Sequence, residues 1–142
     1  MKMLRVLALL LTTMFGGLCV AQAQTSPGQE AQLAQVDPTS AMCLWGIMLS
    51  AVTIGHRCYP GQHSDLEAAL NAQMPRLETY LTTVGATPAM ARTRQQLYSM
   101  RNGELCHGES AALYANIAAQ GPAWAQTMTD QVLSGANHDG CF

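Results

Sequence analysis

Charge is what this sequence has least of. Only 11% of its residues are Asp, Glu, Lys or Arg, and the single lysine is Lys2. Beyond residue 23 stand five arginines against nine acids, a net charge of −4, scattered singly along the chain. With no basic stripe to track a phosphate backbone, nucleic acid is excluded as an expected partner, and an anionic membrane surface is an equally poor match. Alternation of apolar and polar β-branched residues is also missing, which argues against strands. Several reaction signatures are absent too: G-x-S-x-G, C-x-x-C, H-x-x-x-H and H-E-x-x-H do not occur, and the few acids form no evident glycosidase pair.

What is present begins with "MKMLRVLALLLTTMFGGLCVAQAQ". Lys2 and Arg5 make a positive start, Val6 to Val20 an apolar run, and Ala21-Gln22-Ala23 a small-x-small cleavage pattern, so residues 1–23 read as a secretory signal peptide. The run is shorter than the ~20 residues that cross a bilayer. Leu18 before Cys19 does not fit a lipoprotein site. These features predict export to the periplasm or medium of a Gram-negative bacterium, with no stable membrane insertion after cleavage. Residues 24–40, polar and interrupted by Pro27 and Pro38, read as a flexible leader, and 41–142 as a helical domain.

The expected class is all-α, a disulfide-stapled bundle of four to five helices. Residues 41–55, "AMCLWGIMLSAVTIG", carry no charge and suit the centre of a bundle, with Thr39 or Ser40 as cap. Ser64-x-x-Glu67 has the capping-box form. It opens a stripe of Leu66, Leu70, Met74, Leu77, Leu81 and Val84, in which Pro75 predicts a kink or break. Thr87-Pro88 starts a third helix to about Met100, with Ala89, Thr93, Leu97 and Met100 inward. Glu109 to Ala119 form a fourth, burying Leu113 and Ile117. Gly121-Pro122 then opens a fifth that buries Trp124, Met128 and Val132.

Cys43, Cys58, Cys106 and Cys141 follow the signal sequence, and an even number in an exported chain predicts two disulfides. If residues 41–58 are one helix, Cys43 and Cys58 lie about 22 Å apart, far beyond the ~7 Å of a disulfide. Of the two remaining pairings, an up-down bundle favours Cys58–Cys106 with Cys43–Cys141. That choice sets "GHRCYPGQH" beside "LCHGES" and gathers His56, Arg57, His63, His107 and Glu109 as a candidate binding surface.

Two chemical alternatives attach to these residues. His56, His63 and His107 could ligate zinc or copper, since imidazole suits both metals; otherwise no cofactor is expected. His56 also fits the favourable end of a helix dipole, His63 a loop, and His107 a helix cap. A small hydrolase could be drawn from Ser64 and Asp65 with His56 or His63, or from Ser134 with His138 and Asp139, although such residues usually serve turns and caps. The six methionines after residue 23 are dispersed at core spacing rather than clustered for copper. Trp45 and Trp124 read as core anchors.

"CLWGIMLSAV", then "CYP", then "SDLEAAL" resembles the small helical periplasmic immunity proteins that neutralise type VI secretion amidase effectors. The resemblance covers about residues 43–81 and implies a helical fold and a protein-binding role. The chain continues beyond it with helices carrying Cys106 and Cys141. The expected function is therefore an exported, non-catalytic binding protein of the cell envelope. It would act on another envelope or secreted protein in the manner of an inhibitor or immunity protein.

Overall fold

The computed structural model describes residues 36–136. The expected signal sequence, most of the leader, and His138, Asp139 and Cys141 lie outside the described residues. Among those described there are helices and no strands: α1 (Pro38–Cys58), α2 (Ser64–Thr83), α3 (Thr87–Ser99), α4 (Asn102–Leu105), α5 (Gly108–Gln120) and α6 (Ala123–Leu133). The single turn α4 is the one helix the sequence pattern did not predict.

The chain is organised around α1, which touches all five other helices. This follows from its composition, because a rod without charge for most of its length must be covered on every side. Ala41, Trp45, Met48, Ala51 and Ile54 are each at most 1% exposed. At 21 residues α1 is longer than the 15 uncharged residues suggested, and by length and composition alone it could cross a membrane. Here more than half of its apolar window is buried by the other helices.

Its start also differs from expectation. The cap is Asp37, not Thr39 or Ser40. Asp37 Oδ1 accepts from the Thr39 amide at 3.1 Å, and Oδ2 accepts from the Ser40 amide at 2.9 Å and the Ser40 hydroxyl at 2.8 Å. Pro38 occupies the first helical position, where its missing N–H costs nothing. Val36 ahead of it is already part of the core, and its carbonyl accepts from the buried Tyr80 hydroxyl at 2.9 Å.

A similar shift of frame undoes the other two expected caps. Ser64 and Thr87 are the first residues inside α2 and α3, behind His63 and Ala86, and neither helix has a side-chain cap bond. Glu67 thus falls one position too late for a capping box. The cause in α3 is the tight connection from α2, where Gly85 takes φ +78° and the Ala86 amide closes onto the Leu81 carbonyl.

Pro75 does not break α2, which runs unbroken through it. Both Pro75 and Asn71 are exposed, so the Asn71 carbonyl that loses its amide partner can be hydrated. The core stripe of α2 is as expected at Leu66, Leu70, Leu77 and Leu81, with Met74 half-buried and Val84 exposed. In α3 the buried residues are Met90 and Leu97, and in α5 Tyr114 joins Ile117 while Leu113 is half-buried. In α6 Trp124, Ala125, Thr129 and Val132 turn inward, Met128 only partly. Buried Ser40, Thr53 and Thr129 all have hydrogen-bond partners.

A tie between three helices locks this arrangement. The Trp45 indole N–H, on α1, donates to Glu78 Oε1 on α2 at 2.9 Å. Arg94, on α3, pairs with the same carboxylate and lays its guanidinium over the Trp45 ring, 5.1 Å from the centroid.

Candidate functional site

The α1–α2 corner is built by its sequence. Tyr59-Pro60-Gly61-Gln62 forms a turn in which the Gln62 amide donates to the Tyr59 carbonyl at 3.1 Å. Proline fixes φ at the second position, and Gly61 takes the φ of +76° that the third requires. A disulfide joins Cys58, the last residue of α1, to Cys106 between α4 and α5, with Cα atoms 5.5 Å apart. The expected Cys58–Cys106 bridge is thus present, and it crosses 48 residues of sequence.

Arg57 supplies a second tie at the same junction. Its Nε donates to Asn102 Oδ1 at 2.9 Å and its Nη2 to the Met100 carbonyl at 2.8 Å. The guanidinium thereby takes up a carbonyl at the end of α3 and the first side chain of α4.

A third tie is aromatic. Tyr59 and Tyr114 stack with centroids 4.9 Å apart and planes 4° from parallel. The Tyr114 hydroxyl lies 3.0 Å from His63 Nδ1, and the two rings meet edge-on. Tyr114 reaches this position because Gly55 leaves its path across α1 clear. Its phenol ionises above the usual tyrosine range, first because it is buried, then because Glu67 and Tyr59 disfavour a further negative charge.

The five sequence-predicted residues occupy these surroundings in different ways. Arg57 is half-buried and committed to the clasp, while His63 is tied to Tyr114. His56, His107 and Glu109 are exposed. His56 lies in the last turn of α1, and Glu109 in the first turn of α5, where a carboxylate is favoured by the dipole. His107 holds the cap position of α5 without a side-chain cap bond. Among the described residues, no hydrogen bond or ion pair links any two of the five, and no group of three His, Cys, Asp or Glu side chains is arranged to hold a metal ion.

An open cleft of about 330 Å³ adjoins the corner, lined by Gln62, His63, Ser64 and Asp65 on one side and Ala118 and Pro122 on the other. Ser64 makes no hydrogen bond to His56 or His63, whose ring turns to Tyr114 instead. The other drawn triad falls on His138 and Asp139, outside the described residues.

Sequence reasoning missed Tyr59, Tyr114 and Asn102. One signal was available for Tyr114: a glycine at position 55, among bulky residues, marks a close approach by another part of the chain. The chain matches no protein-family model, no curated protein and no solved structure.

Proposed function

We propose that this chain is an exported, non-catalytic binding protein of the cell envelope. It acts on another envelope or secreted protein in the manner of an inhibitor or immunity protein, through the end carrying His56, Arg57, His63, His107 and Glu109. The observation that carries this reading is the triple tie of the α1 end: disulfide, Arg57 clasp, and the Tyr59–Tyr114 stack with its hydrogen bond to His63. A surface whose backbone is fixed in advance loses less entropy on association, so a small area can bind selectively. The exposed groups there are imidazoles and one carboxylate on short segments, suited to polar recognition.

The test places a photo-crosslinking residue at position 56 or 107 of the exported chain, with position 92 on α3 as control. A discrete adduct from 56 and 107 but not from 92 is the expected result. Labelling independent of position, or none at 56 and 107, overturns the proposal.

A further inference from the structure

We propose that Asn102 is a deamidation site guarded by the Arg57 clasp. It keeps its amide while the clasp is closed and converts to aspartate and isoaspartate once the clasp opens. Of Asn71, Asn102, Asn116 and Asn137, only Asn102 is followed by glycine. The reaction needs the backbone nitrogen of the next residue to swing onto the side-chain carbon. A Cβ on that residue crowds the swing, and glycine has none. Gly103 is exposed, and a Cβ built on it would meet nothing within 4 Å, so the space for ring closure is open. Its N–H lies in the first turn of α4, where no helical carbonyl faces it.

The closed structure restrains both reacting groups. Asn102 Oδ1 accepts from Arg57 Nε at 2.9 Å and from Nη2 at 2.5 Å, which fixes the carboxamide. A guanidinium only donates, so the oxygen faces Arg57 and the departing Nδ2 faces away from it. The Asn102 carbonyl accepts from the Cys106 amide at 2.8 Å. That bond keeps Asn102 near the helical ψ of about −40°. Ring closure turns ψ well away from this value and breaks both restraints. Neighbouring residues of α1 thus hold the two ends of one turn: Arg57 holds Asn102, and Cys58 holds Cys106.

In the open state the Gly103 nitrogen gives up its proton and bonds to Asn102 Cγ. Nδ2 takes up a proton and leaves as ammonia, and a cyclic imide remains. One water then adds at either imide carbonyl, giving aspartate or isoaspartate with no change of oxidation state. Aspartate can close again on Arg57 as an ion pair, a charged acceptor in place of a neutral one. Isoaspartate carries an extra methylene in the backbone and cannot rebuild the turn. Either product adds a negative charge to the end of the fold that carries His56 and His107.

Peptide mapping of the oxidised, folded chain after incubation at mildly alkaline pH tests this, by the mass gained at each asparagine when amide becomes acid. R57A should convert at Asn102 roughly tenfold faster than the parent, the weight of a charge-assisted hydrogen bond, and R57A/G103A should hardly convert. R57K keeps the charge without the two-pronged fork. It should also outpace the parent, and it carries the comparison where R57A loses its helical circular dichroism. Asn102 converting no faster in either variant than in the parent, another asparagine converting first in R57A, or undiminished conversion in R57A/G103A overturns the proposal.

Discussion

The Tyr114 hydroxyl, 3.0 Å from His63 Nδ1, is the hydrogen bond by which α5 holds the exposed α1–α2 corner. Its reach depends on Gly55, where an added Cβ would stand 3.1 Å from the phenol ring and oxygen. G55A should therefore displace Tyr114 by a few tenths of an ångström, an overpacking cost of about 1–3 kcal/mol set against about 1 kcal/mol of helix preference for alanine over glycine. Y114F keeps the stack with Tyr59 and loses only the hydrogen bond, about 1 kcal/mol. Urea denaturation should show G55A to be less costly in a Y114A background than in the parent chain, and an equal effect in both would contradict this account of Gly55.

Alkaline stability should depend on the same tyrosine. The folded state raises the ionisation of Tyr114 and of Tyr80 above the ordinary 10.0, both mainly through burial. Above the unfolded value the unfolded chain releases those protons more readily, so stability is intact below about pH 10 and falls as pH rises toward the folded values. Absorbance titration near 295 nm should show late-ionising phenols, one of them missing in Y114F.

The Trp45–Glu78–Arg94 tie should fail unevenly. The ion pair is about one-third exposed on both sides, so screening limits it to about 1 kcal/mol or less. Removing the Glu78 carboxylate also leaves the indole N–H of fully buried Trp45 without a partner, a loss of about 1–3 kcal/mol. E78A should then be less stable than R94A by chemical denaturation, with a shift in Trp45 fluorescence in both.

Reduction of Cys58–Cys106 releases a closed loop of 48 residues. Chain entropy puts its stabilising effect at about 4 kcal/mol. The exposed portion of the Arg57 clasp should contribute much less. The denaturant midpoint of C58S/C106S should fall well below that of R57A, and the reverse order would make the clasp the main tie.

At low pH the start of α1 should weaken first. Hydrogen bonds from the Ser40 side chain, then the Ser40 and Thr39 amides, hold the Asp37 carboxyl below its ordinary 3.8. Its contribution is present above that value and lost as pH falls through the folded one. D37N retains a capping oxygen and should flatten the acid limb of a stability–pH curve, measurable by thermal melts between pH 2 and about 5.

Much of the fold was legible in the chain because it depends on neighbours three and four residues apart. The uncharged stretch at 41–55 could only be central, and the stripe from Leu66 to Leu81 could only be one face of a helix. The same rod geometry separates Cys43 from Cys58 by about 22 Å and so excluded that pair, leaving two pairings of which an up-down bundle favours the one with Cys58–Cys106. Helix starts were read one to three residues late because the cap position depends on how tightly the preceding turn closes. Asp37-Pro38 and the Gly85 turn decide that, and a side-chain pattern such as Ser64-x-x-Glu67 cannot.

Sequence alone determined the helical class and the central rod, since both follow from local periodicity, and it excluded Cys43–Cys58 by helix length; the choice of Cys58–Cys106 between the two remaining pairings belongs to the tertiary structure. Only the tertiary structure decided that Arg57 is a clasp, that His63 belongs to Tyr114, and that Trp45, Glu78 and Arg94 form one tie. Those partners stand 16 to 51 residues apart, and a contact at that distance is selected by the packing of whole helices, which no local spacing records.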